Sequence, residues 1–357
     1  MIRLSNIQLI EALRGSIPAD SWKNNDWSLM IRQARRANLL SRLVVNDRGD
    51  VPEKVLQHLS NAQLVAQANA RSVRSEVEEI QHLLSAQNIP FILLKGAAYL
   101  YSGFEFGKSR VYSDVDIMVH HQDLKKSEGI FITHGWMTTK LNAYDQKYYR
   151  QWMHELPPLR HLKRQTSLDV HHTIVPPTSA YQLDAEKLWE RCIPVENLDN
   201  VYTLSPVDMM LHSAVHLFSD GDFENGIRDL SDLACMTKVF SREEKFWELL
   251  LERSIDLGLT EPLFYSLRYV ERFLNVEIPL EVSQRIKGFG VAGPLKSKIM
   301  DIVFTRGLLP DHVSCRDFLS GIAANILFIR SHYLRMPLRL LIPHLLRKSF
   351  QDKEEIN

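Results

Sequence analysis

The spacing of apolar residues changes twice along this chain. From Asp26, the segment DWSLMIRQARRANLLSRLVV repeats apolar residues three and four apart, the period of a helix with one buried face. Asp26 stands where an N-cap is expected. After the turn NDRGDVPEK, a second amphipathic segment runs from about Val51 to Ala86 and stops before QNIP. At Pro90 the pattern shortens. FILLKG is a brief apolar run closed by a glycine, as in a buried strand, and AAYLYSGF returns to helical spacing. The polar turn EFGKSRVYS leads into a second strand-like run, DVDIMV. Gln122 to His134 predicts a helix, and RHLKRQTSLDVHHTIV predicts two strands joined at the polar KRQT. Helical spacing resumes at LSPVDMMLHSAVHLF, where Ser205 fits an N-cap, Pro206 the first helical position and Asp208 the first turn. It continues to the C-terminal stretch NILFIRSHYLRMPLRLLIPHLLRKSF, which Pro337 and Pro343 divide into short helices.

These elements predict an α+β protein. A small mixed-sheet core over residues 89–204 is flanked by an N-terminal helical region, 1–88, and a C-terminal helical region, 205–357. With 43 basic and 43 acidic residues in 357, no global field points to nucleic acid or to an acidic partner. The three cysteines, Cys192, Cys235 and Cys315, are too few and too dispersed for a disulfide framework or a zinc knuckle, and read as reduced thiols. No apolar run reaches the roughly 18 residues of a spanning helix, and the N-terminus lacks the apolar segment of a signal peptide. A cytoplasmic protein is expected.

The chemistry-bearing residues cluster in the middle region. Asp114 and Asp116 are two apart at the mouth of a strand, so both point to one face with Cα atoms roughly 6.6 Å apart. Carboxylates about 5 Å apart repel by about 3 kcal/mol at an effective dielectric of 20, so a cation must offset the repulsion, or one aspartate must take up a proton, or both must be well solvated. Upstream, a strand ends in Lys95-Gly96. The glycine permits close approach of a phosphate, and the lysine and Arg110 are candidates to meet its charge. Mg²⁺ prefers one or two carboxylates plus phosphate oxygens, and Asp169 in TSLDVHH is placed to supply a further carboxylate for a two-metal site. Alternation puts Asp169 and His171 on one strand face, opposite Leu168 and Val170, and turns His172 away.

The combination FILLKGAAYLY…SRVYSDVDIMVHHQDL with the LDVHH strand and the later LHSAVHLF…IRDLSDLA resembles the uncharacterised nucleotidyltransferase family, within the DNA polymerase β-like nucleotidyltransferase superfamily. The resemblance extends from about Asp26 to about residue 280. It implies a metal-dependent transfer of NMP from an NTP to an acceptor hydroxyl or phosphate, with release of pyrophosphate. By the same resemblance Asp114 and Asp116 bind catalytic Mg²⁺ (or Mn²⁺), Asp169 is the third carboxylate, and Gly96 contacts the nucleotide, beside the candidate phosphate-binding residues Lys95 and Arg110. His171, Arg228 and Asp232 are candidates for the acceptor cleft. The chain departs from the wider superfamily at Gly96-Ala97, which lacks the usual serine or second glycine, and in the longer stretch from Gly96 to Asp114. The acceptor expected is a small molecule or a glycan-related group, with tRNA or protein as alternatives. A non-catalytic nucleotide-binding scaffold is the rival reading.

Other motifs have plainer readings. His212 and His216 share a helical face, but Ser213 stands where a metalloprotease has glutamate, so packing or cleft lining is expected. Arg228 and Asp232, four apart, have the spacing of an intrahelical ion pair. The basic residues of the C-terminal tail, Arg330, Arg335, Arg339, Arg347 and Lys348, do not form one face. Packing with extended arginines is expected there, ahead of contact with a membrane surface or a partner.

Overall fold

The short apolar runs pair into one seven-stranded mixed sheet. A computed structural model describes residues 2–15, 22–44, 51–139, 142–219 and 223–343. The strands are β1 (Phe91–Leu93), β2 (Val115–Met118), β3 (Trp136–Thr138), β4 (Leu159–His161), β5 (Ser167–His171), β6 (Ile193–Pro194) and β7 (Val201–Thr203). Their order is β3-β4-β5-β2-β1-β7-β6. Among the central strands, β1 is antiparallel to β2 and parallel to β7, and β2 is parallel to β5. Every residue of β1 and β2 is buried, which is why both read as continuous apolar runs.

The two strands read from RHLKRQTSLDVHH are β4 and β5, an antiparallel pair. Their turn is held from outside the sheet. Arg164 donates to Glu76 at 2.9 and 2.6 Å, and Thr166 Oγ1 donates to the same carboxylate at 2.9 Å. Glu76 lies in the long helix Glu53–Ser85, the predicted second amphipathic segment.

Asp26 belongs inside its helix rather than at the cap. Helix Asn24–Arg36 begins two residues earlier, and the Asp26 carboxylate reaches back to accept from the Lys23 backbone N–H at 3.0 Å. Ser205 does cap its helix: its Oγ accepts from Asp208 N–H at 3.3 Å, ahead of helix Pro206–Ser219. That helix is buried around nearly its whole circumference, as expected of a central core helix. It packs against helices Gly226–Phe240, Phe246–Asp256 and Thr260–Leu274. One continuous apolar core runs from Ile7 to Leu334. Helix Ser320–Arg335 stops before Pro337. Arg330 folds inward there, over the rings of Tyr265 and Phe304 at 5.3 and 5.5 Å. Arg347 and Lys348 lie outside the described residues.

Candidate active site

The register of β2 against β5 sets Asp116 directly beside Asp169. Neighbouring strands lie about 4.8 Å apart, so the two carboxylates share one face at close quarters. Asp114 sits just before β2, two residues from Asp116. All three line a cleft of about 690 Å³ between the sheet and the C-terminal helices. Lys95, Gly96, Arg110, Arg228 and Asp232 line the same cleft, so eight of the nine residues singled out in the sequence meet in one space.

The ninth, His171, is buried behind that surface. Its Nε2 donates to Asp116 Oδ1 at 3.2 Å and lies 3.4 Å from Glu155 Oε2. His172 turns away as expected. Its Nε2–H donates to Met153 O at 3.3 Å, and burial lowers its pKa to about 4, so it packs as a neutral ring. His216 lines the cleft, whereas His212 is buried in the core.

The three aspartates are not electrostatically equivalent. Asp116 is almost fully buried, which alone would favour its proton, but Lys95 Nζ at 2.8 Å and His171 outweigh that and hold it ionised well below the usual carboxylate range. Asp114 is raised, first by burial and then by the charge of Asp116. Asp169 is pushed up to about 7 by burial and by the charges of Asp116 and Asp114. Neither Asp114 nor Asp169 makes an ion pair among the described residues. Seven carboxylates line the cleft against four lysine and arginine side chains. With no ion pair among the described residues to relieve their like charge, Asp114 and Asp169 beside Asp116 fit a divalent cation.

Lys95 and Gly96 open helix Lys95–Tyr101, and that start is conformationally specific. Lys95 has φ of +43°, a left-handed conformation that costs a non-glycine residue about 1–2 kcal/mol. Gly96, the next residue, has a steric reason of its own. A Cβ there would lie 2.7 Å from the Tyr112 ring and 3.2 Å from Arg110 Nε. The glycine therefore lets Tyr112 and Arg110 close on the helix start.

Helix Gly226–Phe240 forms the opposite wall. Arg228 and Asp232 do not pair with each other. Arg228 Nε instead binds Asp229 at 2.9 Å, and Asp232 is shared between Arg42, at 2.6 Å, and Arg110. Arg110 also stands over the Tyr99 ring at 5.7 Å, and Tyr99 and Ser213 share a hydrogen bond of 2.6 Å. Arg42 and Asp229 carry no spacing signal, because Asp232 is 190 residues from Arg42 and Arg228 is the immediate neighbour of Asp229 rather than three or four away. His154 and Glu155, also cleft-lining, were missed because they lie outside any periodic segment, although the polar pair before Pro157-Pro158 is a visible interruption.

A family model described as an uncharacterised nucleotidyltransferase matches residues 23–275. No curated protein and no solved structure matches the chain. Among the described residues, no helix is long and apolar enough to cross a membrane.

Proposed function

The chain belongs to the uncharacterised nucleotidyltransferase family, and from that premise we propose that it transfers NMP from an NTP to an acceptor, in a metal-dependent reaction at the aspartate-lined cleft. The observation that carries this reading is the β2–β5 register, which sets Asp116 beside Asp169 with Asp114 at the strand mouth. Asp114, Asp116 and Asp169 would hold Mg²⁺ or Mn²⁺. The bound ions would neutralise triphosphate charge and make the acceptor hydroxyl more acidic.

The chain's own residues divide the remaining work. Lys95, Arg110 and Arg228 face the cleft and supply positive charge to the triphosphate. Gly96 leaves room for the Tyr112 ring and Arg110 to close on the start of helix Lys95–Tyr101. Asp169 is assigned to the acceptor side, where it orients the attacking hydroxyl and receives its proton. The acceptor oxygen bonds to the α-phosphorus, the bond from that phosphorus to the β-bridging oxygen breaks, and pyrophosphate leaves. Tyr149, His216 and Asp232 line the space left for the acceptor. We assign a small or glycan-related hydroxyl to that space, and tRNA or a protein remains the alternative acceptor class.

The scaffold reading draws on one feature, the Lys95–Asp116 pair at 2.8 Å, in which a lysine already neutralises the most buried aspartate. Pyrophosphate release separates the two. Incubation with each NTP, Mg²⁺ and a small-molecule extract should give pyrophosphate that EDTA abolishes. NTP binding without pyrophosphate release, across all four nucleotides and both metals, would favour the scaffold.

A further inference from the structure

Next to the aspartates, a second group of metal-capable side chains is assembled by backbone pairing. After helix Ala143–Trp152 the chain runs extended along the end of β5. Leu156 N–H donates to Val170 O at 2.8 Å, and His172 N–H donates to His154 O at 2.9 Å. Glu155 forms an antiparallel bridge with His171. These contacts fix the Cα positions of His154, Glu155 and His171 as firmly as those of a strand pair.

Each of the three offers a ligand atom, and these atoms all lie within 4.8 Å of one another. The two imidazole rings are 5.1 Å apart between centroids. His154 and His171 are 6% and 1% exposed. Glu155 is partly exposed, and both it and His154 line the cleft, so an ion has a route in. Ligands held about 2.0–2.1 Å from a tetrahedral metal stand about 3.3–3.4 Å from each other. His171 Nε2 and Glu155 Oε2 are 3.4 Å apart.

We infer that His154, Glu155 and His171 form a second divalent-cation site, suited to a borderline transition-metal ion of the zinc class. Two imidazoles and one carboxylate suit such an ion, whereas the all-oxygen aspartate group suits Mg²⁺. This site rests on side-chain geometry and holds whether or not the cleft performs nucleotidyl transfer. It also touches that cleft through one atom. His171 Nε2 donates to Asp116 at 3.2 Å, and a nitrogen that ligates a metal through its lone pair cannot donate a proton as well. Filling the second site therefore leaves Asp116 with Lys95 as its hydrogen-bond donor.

The test uses the full chain and Zn²⁺ alone, by calorimetric titration without nucleotide. One equivalent of Zn²⁺ should bind the wild type and Asp114→Asn alike. Glu155→Gln should weaken it by at least about a hundredfold, since even outer-shell changes at metal sites cost 10–100-fold. X-ray absorption of the Zn²⁺-loaded wild type should show imidazole nitrogen scattering, which keeps the test valid if Glu155→Gln does not fold. No stoichiometric Zn²⁺, loss of Zn²⁺ in Asp114→Asn with retention in Glu155→Gln, or an all-oxygen shell would each overturn the site. None of these outcomes bears on Mg²⁺-dependent pyrophosphate release, which tests the transfer reaction separately.

Discussion

Replacing Asp169 by Asn should make the metal-free protein more stable at neutral and alkaline pH. In EDTA, Asp169 is pushed from 3.8 up to about 7 by burial and by Asp116 and Asp114. Below pH 4 the carboxyl is protonated in both folded and unfolded chains and contributes no difference. Between pH 4 and 7 the unfolded chain releases the proton while the folded one retains it, so stability falls as pH rises. Above pH 7 the loss is complete. A shift of about three units corresponds to about 4 kcal/mol at 1.36 kcal/mol per unit. Partial exposure and sharing among three carboxylates reduce this to about 2–4 kcal/mol. The amide carries no charge, so Asp169→Asn removes that slope. About 60% of that loss falls between pH 5 and pH 8, so thermal melts in EDTA should show the variant gaining on wild type by about 2–3 °C between the two. Mg²⁺ should restore the wild type at pH 8 and raise the variant, which keeps Asp114 and Asp116, by less. If Asp169→Asn is no more stable than wild type at pH 8, and the gap does not move with pH, the like-charge description of the cleft is wrong.

Asp116→Asn should have the opposite sign, because it removes the partner of Lys95 and His171: a loss of about 3 kcal/mol in EDTA is expected, and a stabilised variant in denaturant titration would contradict it. Gly96→Ala should cost about 1–3 kcal/mol through the 2.7 Å overlap with Tyr112, with partial recovery when combined with Tyr112→Leu; an unchanged denaturation midpoint would remove the steric account of this glycine. Arg110→Ala should weaken NTP binding by about tenfold and destabilise the fold by about 3 kcal/mol, since among the described residues Asp232 then keeps Arg42 alone; unaltered nucleotide affinity in equilibrium dialysis would take Arg110 out of the phosphate site.

What the sequence disclosed follows from how local each feature is. β1 and β2 are buried on both faces, so they appear as uninterrupted apolar runs, and β5 shows the alternation that sets Asp169 apart from Leu168 and Val170. β3, β6 and β7 are three residues or fewer and each carries exposed or half-exposed positions, so no uninterrupted apolar run marks them as one marks β1. Helix Ala143–Trp152 is mostly polar and half-exposed, and its start depends on Asn142, whose Oδ1 accepts from Tyr144 and Asp145 N–H at 2.8 and 3.2 Å. The aspartates announce themselves by being charged within or at the mouth of apolar strands. Arg42 was invisible because its meaning comes from Asp232, 190 residues away. Arg228 and Asp232 had helical spacing that pointed to each other, yet closer partners from the cleft took both side chains.

Nucleotidyl transfer at the three aspartates is tested most directly by the fate of two labels. The wild type and Asp169→Asn are each incubated with an extract, Mg²⁺ and NTP labelled at either the α- or the γ-phosphate. Label from the α-position should enter an acceptor with wild type, while γ-label should appear only as pyrophosphate. Asp169→Asn should bind NTP within a few-fold of wild type yet transfer about a thousandfold more slowly, the equivalent of about 4 kcal/mol in the transition state. Acceptor labelled from the γ-position, or full α-transfer by Asp169→Asn, would contradict the assignment.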